Sequence, residues 1–217
     1  MTSTHAATAA HLSTFAPLKW ATSALTSPEW IMYERNRGAP AEVDFDRFAH
    51  RTLQGPDGIT TWLECYRKPP AASKLVTKTM TLVAFGHALH GFPSICHGGA
   101  TLAVMDEALS YGMIANVIEE MGYEGAFSNY GGEAGWKEAL EQGKPPQEVL
   151  RGRMVTAKME VKFLRPVLCP GVVGVQVDVV SRSEAEMRIR GVMRDGEGRP
   201  LMEAEGVWVK IGKRARL

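Results

Sequence analysis

The chain has 217 residues, 45% of them hydrophobic, and its 25 basic and 24 acidic residues leave a formal net charge of +1. This length suits one domain with a full core, and two complete domains would be crowded. A balanced charge, with no basic run except KRAR near the C-terminus, argues against a nucleic-acid-binding protein. The longest apolar stretch, 100–118, is interrupted by Asp106, Glu107 and Ser110, which excludes a membrane span.

Targeting signals and cysteines indicate the cellular compartment. The first 20 residues have neither a basic n-region nor a continuous apolar h-region, so we expect no secretory signal and treat them as a loose tail. Cys65, Cys96 and Cys169 are odd in number and widely spaced, and the sequence has no Asn-x-Ser/Thr acceptor. We therefore expect a protein of the reducing cytoplasm.

The segment 1–59 is predicted to be an N-terminal extension with one short helix. Ser27 can cap this helix and Pro28 can occupy its first position, before the sequence EWIMYERN. From Thr60 onward the pattern predicts two strands, TWLECYRK and KLVTKTMTLVAF, which are rich in β-branched residues. We place the start of the main domain, 60–217, at this change.

A long apolar segment follows these strands and has the length of a helix rather than of a strand. It begins near Gly98 and Gly99 and is apolar on nearly every face, which predicts a helix enclosed in the core. Residues 119–152 are polar and turn-rich. They are predicted to form an inserted surface segment with a short helix around Trp136 to Gln142.

Four strand-like runs complete the chain. In the first two, alternate apolar residues are expected to share a face: Val155, Ala157, Met159, Val161 and Phe163, then Val173, Val175, Val177 and Val179. The third alternates Met187, Ile189 and Met193 with arginines, and the turn GEG leads into LMEAEGVWVKI. Such strands joined by short turns indicate an antiparallel sheet with one solvated face. With one buried helix, they predict an α+β domain in which the sheet wraps the helix.

The predicted helix starts with the sequence His97-Gly98-Gly99. The first amide groups of a helix are free and lie at the positive end of its dipole, and glycines let a ligand approach the backbone closely. This helix start is therefore a candidate site for an oxyanion or a polarised carbonyl. The alternative is that the glycines form a tight entry turn and that His97 satisfies a local hydrogen bond.

Two carboxylates, Asp106 and Glu107, lie in the middle of this helix. Burial raises the pKa of a carboxyl group, which suits a general base. Gly99, Ala103 and Ser110 are small or polar neighbours of Asp106 along the helix and leave room for a ligand. An inter-helix hydrogen bond or a subunit contact is the alternative role for Asp106. Spacing alone does not choose between Asp106 and Glu107.

The pattern H-G-G-x6-D on a helix, followed by V-T-A-x-M-x-V-x-F-x-R-P, resembles hotdog-fold acyl-thioester hydrolases of the phenylacetyl-CoA thioesterase-like branch. The matching residues are His97, Gly98, Gly99, Asp106, Thr156, Arg165 and Pro166. The resemblance covers roughly residues 60–212 and implies a hotdog fold, in which an antiparallel sheet wraps a long central helix. It does not explain the first part of the chain.

The resemblance also implies a reaction. A helix-start amide at Gly98 or Gly99 would polarise the thioester carbonyl, while Asp106 activates water or attacks directly. Thr156 would hydrogen-bond Asp106 or its water. His97 would shape the carbonyl site.

The thiol of such a substrate would be CoA or the phosphopantetheine arm of a carrier protein, and we expect no separate cofactor and no metal. Arg165, with Lys162 as a second candidate, could pair with the phosphates of the thiol carrier, and Ser110 is a further substrate-binding candidate. Lys162 and Leu164 depart from the residues that close relatives often carry, which leaves CoA and carrier protein as alternatives. The inserted segment 119–152 leaves the acyl preference open.

Helix geometry predicts a homo-oligomer. Gly99 and Asp106 are about 10 Å apart along one helix axis, so one thioester cannot readily touch both. We expect at least a dimer, because antiparallel helices from two chains bring the Gly99 end of one to Asp106 of the other. The resemblance to hotdog-fold hydrolases implies the same arrangement, with a further pairing of dimers to a tetramer as the alternative.

Other readings of the motif residues remain open at this point. His87, His90, Cys96 and His97 have ligand types at H-x2-H-x5-C-H spacing, which matches no standard zinc signature. A Cys96–His97 nucleophile is weaker, because sequence neighbours rarely present their side chains to each other. A non-hydrolytic acyl-thioester-binding protein, or a hydratase or dehydratase on the same fold, is the remaining alternative.

Overall fold

The computed structural model describes residues 2–4, 6–35, 46–129, 138–139 and 141–212. Its strands are β1 (Thr2–Thr4), β2 (Trp30–Glu34), β3 (Ile59–Arg67), β4 (Lys78–Phe85), β5 (His90–Phe92), β6 (Ile95–Cys96), β7 (Met154–Phe163), β8 (Gly171–Arg182), β9 (Glu186–Arg194) and β10 (Pro200–Lys210). Its α-helices are α1 (Ala9–Thr14), α2 (Thr22–Leu25), α3 (Gly98–Asn129) and α4 (Pro146–Val149), with a π-helical turn at Phe48–Leu53 and a 3-10 turn at His87–Leu89.

An antiparallel sheet has the strand order β1-β2-β3-β4-β8-β9-β10-β7, and β5 and β6 form a separate hairpin. The sheet packs against α3 through β3, β4, β8 and β9. This arrangement confirms the predicted α+β hotdog fold, with a long central helix wrapped by an antiparallel sheet.

Helix α3 begins at Gly98, as predicted, but it is longer than the sequence pattern indicated. It continues to Asn129 past a break at Gly122, whose φ is +74°. The first part of the segment 119–152 is therefore helix up to Asn129, whereas the sequence pattern predicted helix only around Trp136 to Gln142. Among the helices of the described residues, none is long and apolar enough to cross a membrane.

The short helix predicted around Trp136 to Gln142 lies only partly within the described residues. Positions 138, 139 and 141 are helical, and 136, 137 and 140 lie outside the description.

The inner face of the sheet matches the predicted alternation in β8 and β9. Val175, Ile189 and Met193 are fully buried and belong to the main core with α3. Gly191 lets the helix approach closely, because a Cβ at this position would lie 2.8 Å from Leu109 Cδ2. These contacts fix the face of α3 that is turned toward the sheet.

Strand β7 is an outer strand of the sheet and contains a β-bulge. Lys158 pairs with Val207 on β10. The next pair is Thr156 with Trp208, so Ala157 is an extra residue on β7. A bulge reverses the alternation of side chains between the two faces of a strand. Thr156 therefore faces α3, which strict alternation from Met159 would not allow.

The bulge corrects the predicted face of β7. Met159 and Val161 do pack against the core, but Met154 takes the place expected for Val155. The cover on this face is incomplete, since Phe163 remains 56% exposed.

Residues Trp30–Glu34 form a strand where a helix was predicted. Ser27 Oγ accepts a hydrogen bond from the Glu29 amide at 3.2 Å, which makes a tight turn instead of a helix cap. Strand β2 then pairs with β1 on one side and with β3 on the other, where Met32 lies opposite Cys65. Pairing with residues far away in the chain satisfies the backbone, and a local pattern does not reveal such pairing.

The first residues of the chain are not a loose tail. Phe15, Leu18 and Ala21 are fully buried against the outer face of β3 and β4, where they contact residues such as Leu63 and Leu82. The expectation of one solvated face is therefore wrong at this end of the sheet. Because β1 and β2 extend the same sheet as β3, the boundary drawn between residues 59 and 60 runs through continuous structure.

Candidate active site

His97 caps the start of α3. The Gly99 amide donates to His97 Nδ1 at 3.0 Å, and the Ala100 and Thr101 amides donate to the His97 carbonyl at 2.9 and 3.1 Å. With Nδ1 as an acceptor, a neutral His97 ring carries its proton on Nε2. The first amides of the helix were expected to be free, but the Gly99 amide is already bonded. The Gly98 amide has no acceptor among the described residues.

The helix start is open to solvent. His97, Gly98 and Gly99 are exposed. The nearest side chain to a Cβ built at Gly98 would be the Phe163 ring, at 3.8 Å. A ligand atom can therefore reach the positive end of the helix dipole at the Gly98 amide.

Asp106 lies two turns further along α3 and contacts Thr156. Thr156 Oγ1 donates a hydrogen bond to Asp106 Oδ1 at 3.3 Å, across the bulge of β7. Desolvation raises the pKa of Asp106, and the charge of Glu107 adds to this rise, while the hydrogen bond from Thr156 opposes it. A half-buried carboxyl group with a raised pKa is suited to accept a proton from water.

Glu107 has a different environment from its neighbour. Its carboxylate forms an ion pair with Arg35 at 2.8 Å, and its side chain is 22% exposed. Asp106 has no cationic partner among the residues that the structure describes. The structure thus separates two carboxylates that the sequence spacing could not tell apart: Glu107 is paired, and Asp106 is available.

Arg35 was missed by the sequence analysis. Its side chain is only 8% exposed and also contacts Asp46, at 3.4 Å. Its guanidinium lies 4.6 Å from the centre of the Trp62 ring. No local signal marks Arg35, because its partner Glu107 is far away in the chain.

Glu64 is a second buried carboxyl group near Arg35 that the sequence analysis missed. It is 1% exposed, and it accepts hydrogen bonds from Trp62 Nε1 at 2.7 Å and from Thr81 Oγ1. Burial raises its pKa to about 7, against the opposing effects of Arg35 and these donors. Glu64 lies on β3, within the strand that the sequence pattern predicted.

The remaining site candidates are distributed along α3 and β7. Ser110 is half-buried one turn after Asp106. Lys162 is exposed near the end of β7. Arg165 is also exposed, and its Nη1 donates to the Pro200 carbonyl at 2.6 Å.

One chain therefore holds two separate groups of candidate residues. Asp106 and Thr156 form one group, and the helix start at His97 and Gly98 forms the other. The rise of an α-helix places Gly98 and Asp106 about 12 Å apart along the axis of α3. Thr156 lies beside Asp106, whereas Gly98 and Gly99 of the same chain lie far from both.

The cysteine and histidine candidates do not form a metal centre. Among the described residues, no group of three or more His, Cys, Asp or Glu side chains is placed to hold a metal ion. Cys96 is a buried free thiol, and burial raises its pKa to about 12. His90 Nε2 lies 2.6 Å from the Cys169 carbonyl oxygen. A high thiol pKa is the opposite of what a nucleophilic cysteine requires.

Residues 94–201 match the family model of the thioesterase superfamily. The chain belongs to this superfamily. The matched residues include the helix start, Asp106 and Thr156, and they exclude Arg35. The superfamily assignment therefore covers both groups of candidate residues, and the N-terminal part of the site lies outside it.

Individual relatives of this thioesterase-superfamily chain are distant. Verlamelin biosynthesis protein B of a Lecanicillium species is 27% identical over 127 residues, which cover 57% of this chain and 52% of that protein. The chain thus spans about half the length of this curated relative.

Solved structures with some similarity include two bacterial proteins. The PaaI protein of E. coli, from the phenylacetic acid degradation operon, is 12% identical with a TM-score of 0.44, over 62% of this chain and 73% of that chain. A hypothetical thioesterase protein of Streptococcus pneumoniae, solved with coenzyme A, is 12% identical with a TM-score of 0.41, over 64% of this chain and 85% of that chain.

Proposed function

We propose that this protein is an acyl-thioester hydrolase, that Asp106 is its general base or nucleophile, and that its substrates are thioesters of CoA or of a phosphopantetheine carrier protein. The observation that carries the proposal is the contrast between the two carboxylates on α3. Glu107 is neutralised by Arg35, whereas Asp106 is held by Thr156 and has a raised pKa. Membership of the thioesterase superfamily supports the reaction type.

In the general-base version, Asp106 takes a proton from water as the water oxygen attacks the thioester carbonyl carbon. The carbonyl oxygen gains negative charge, which a helix-start amide and the helix dipole stabilise. The carbon–sulfur bond then breaks, and the proton held by Asp106 passes to the thiolate. The products are a carboxylic acid and a free thiol. Thr156 keeps the Asp106 carboxylate in place through its hydrogen bond.

The amide that stabilises the oxyanion comes from the Gly98-Gly99 helix start. The Gly98 amide is the available donor, and the Gly99 amide joins it when the carbonyl oxygen displaces or shares the contact with His97 Nδ1. His97 thereby shapes the carbonyl site, because its Nδ1 occupies the Gly99 amide in the absence of substrate.

Each site needs two chains in this proposal. The helix start and Asp106 of one chain are too far apart for one thioester, and among the described residues no strand pairs with β7 on the side away from β10. Two chains related by a two-fold axis, with antiparallel α3 helices, place the Gly98 end of one opposite Asp106 of the other. The half-buried face of β7 and the exposed Phe163 ring support a homodimer or a higher homo-oligomer through this edge.

Arg165 and Lys162 are the proposed contacts for the phosphates of CoA or phosphopantetheine. Both are exposed, and they lie on either side of Phe163, whose ring is close to the helix start. Ser110 is proposed to line the substrate site beside Asp106. No metal and no separate cofactor take part, and we propose a cytoplasmic location on the cysteine usage of the sequence.

A thiol-release assay tests the function. The purified full chain is incubated with short, long, branched and aromatic acyl-CoAs and with acyl carrier proteins, and free thiol is titrated against a no-enzyme blank. The proposal predicts turnover of at least one class and its loss in Asp106→Asn. Binding of acyl thioesters without thiol release would instead support a non-hydrolytic binding protein, and hydration or dehydration of an enoyl or hydroxyacyl thioester would support a hydratase.

A further inference from the structure

Asp106 and Glu107 are consecutive residues of α3, and both are half-buried. Their polar partners differ, since Asp106 accepts from Thr156 and Glu107 pairs with Arg35. The charge of Glu107 nevertheless acts on Asp106 and raises its pKa. A cation that pairs with a neighbouring carboxylate offsets part of such an effect. The environment of Asp106 therefore depends on how the charge of Glu107 is balanced.

Arg35 supplies the cation that balances Glu107. Its amide donates to the Trp62 carbonyl at 2.9 Å, and its carbonyl accepts from Gln54 Nε2 at 2.7 Å. Its guanidinium lies over the Trp62 ring and reaches Glu107 at 2.8 Å. The backbone bonds hold the main chain of Arg35, and the ring and carboxylate contacts place its guanidinium beside Glu107.

We propose that Arg35 is a positioning residue for the proposed hydrolysis: by pairing with Glu107, it offsets the negative charge beside Asp106 and so sets the electrostatic environment of the proposed base. This inference rests on the proposed function. It also gives the N-terminal part of the chain, which lies outside the residues matched by the family model, a role in the reaction.

The other charged groups near this pair come from several elements. Strand β3 contributes Glu64, and the segment between β2 and β3 contributes Asp46 and His50, which lie 3.8 Å apart. Strand β7 contributes Thr156, which does not titrate, and Lys158, which is paired with Glu160 at 3.1 Å. The core residues that β8 and β9 turn toward α3 are apolar: Val173, Val175, Val177, Met187, Ile189 and Met193.

Arg35 balances the acidic groups of this set. It contacts both Glu107 and Asp46, and its charge also acts on Glu64. Removing this charge therefore leaves Glu107 without its cation in a partly buried place, and the negative charge beside Asp106 is no longer offset.

The test is the acidic limb of the pH profile of kcat/KM, measured on full-length protein with its best thioester. For the wild type we expect a limb that fits one ionisation. For Arg35→Met we expect this limb to lie about one pH unit higher, the size expected for a nearby unit charge at an effective dielectric constant of about 20–40. For Arg35→Lys, which keeps the charge, we expect the limb to return to near its wild-type position.

Substitution of Glu107 provides the matched control. Glu107→Gln removes the neighbouring negative charge, so the limb moves to lower pH. The double variant Arg35→Met/Glu107→Gln removes both charges, so its limb lies below that of Arg35→Met and near that of the wild type. A purely structural role for Arg35 would lower the folded fraction and would leave the position of every limb unchanged.

The failure of this inference is distinguishable from the failure of the proposed function. An unchanged limb in folded Arg35→Met, or an unshifted limb in Glu107→Gln, overturns the role of Arg35 while hydrolysis stands. If Arg35→Met does not fold, Glu107→Gln and the double variant decide. If the wild type releases no thiol from any thioester, the proposed function fails, and a carbon-13 NMR titration of the Asp106 carboxyl tests the same shifts, with Asp106→Asn identifying its signal.

Discussion

The two ends of the sheet differ in how completely they are covered. At the β3–β4 end, the inner face packs on α3 and the outer face is sealed by the N-terminal residues, with Phe15 and Leu18 fully buried. At the β7 end, the face turned toward α3 is half-buried, and Phe163 is 56% exposed. The candidate catalytic residues Asp106 and Thr156 lie at the incompletely covered end.

This difference indicates that the two ends serve different purposes. The sealed end is closed by the chain itself, and its buried apolar area stabilises the fold. At the open end, no described strand pairs with the outer edge of β7, and the apolar surface around Phe163 is exposed. Strand edges and apolar surfaces of this kind are usually covered by another element. We therefore assign stability to one end and the assembled active site to the other.

Two matched substitutions separate these roles, and they carry the largest expected effect. Phe15→Ala leaves a cavity at a fully buried position and should lower the free energy of unfolding by about 3–5 kcal/mol. Phe163→Ala changes an exposed ring and should lower it by about 0.5 kcal/mol or less at concentrations where the chain is monomeric. Denaturant unfolding with far-UV circular dichroism measures both.

The two variants should show the opposite order of effects when self-association is measured. Sedimentation velocity should show weaker self-association for Phe163→Ala and unchanged association for folded Phe15→Ala. Equal losses of stability in the two monomeric variants would mean that the ends of the sheet are not different in the way described.

Activity should depend on the carboxylate at the open end. Asp106→Asn keeps the shape and the hydrogen bond from Thr156, but it removes the proton acceptor, so kcat should fall by about 100-fold or more. Glu107→Gln should produce a smaller loss at neutral pH, because Glu107 is paired with Arg35 and does not take the proton. Steady-state thiol release on both variants measures the difference. A dead Glu107→Gln beside a fully active Asp106→Asn would reverse the assignment of the two residues.

Sequence patterns predicted the parts of the fold that depend on local periodicity. The alternation in β8 and β9 and the helix start at Gly98 were confirmed, because burial on one face leaves a period in the sequence. The strand at Trp30–Glu34 and the cover formed by Phe15 were not predicted, since both depend on contacts with β3 and β4. Long-range contacts leave no local period.

The candidate site shows the same limit. The motif located Asp106 and the helix start, but the spacing could not choose between Asp106 and Glu107. The choice depends on Arg35, which is far away in the chain, and on a bulge at Ala157 that turns Thr156 toward α3. A single extra residue in a strand is invisible to an alternation rule, because the rule assumes a regular strand.

The pH dependence of the free energy of unfolding should show the cost of burying the Asp106 charge. Since the folded state raises the pKa of Asp106 above its ordinary value of 3.8, the stability that this group contributes is present at low pH and is lost as pH rises through the raised pKa. Asp106→Asn removes this loss. The variant should therefore melt at a higher temperature than the wild type at pH 7, with a smaller difference at pH 4. Differential scanning calorimetry at both pH values measures the difference in melting temperature between the variant and the wild type. A difference that favours the variant less at pH 7 than at pH 4 would show that burial does not destabilise the Asp106 carboxylate.

Arg165 should have the smallest effect. Arg165→Ala should raise KM for acyl-CoA by about 5-fold with little change in kcat, which is typical of a contact equally strong in the ground and transition states. Arg165→Lys loses the guanidinium group that donates to the Pro200 carbonyl. Because it keeps the positive charge, it should retain most of the affinity for acyl-CoA. An unchanged KM for Arg165→Ala across CoA substrates would leave Arg165 with the structural contact alone.

Complementation between two inactive variants tests most directly whether the open end is completed by a second chain. Asp106→Asn is mixed with Gly99→Val, whose added side chain crowds His97 at the helix start, and the subunits are allowed to exchange. In a mixed dimer, one site receives both lesions and the other receives neither, so the account predicts recovery to roughly half of the wild-type specific activity for the heterodimer fraction. No recovery after verified exchange, or a fully active monomer by light scattering, would contradict a site shared between two chains.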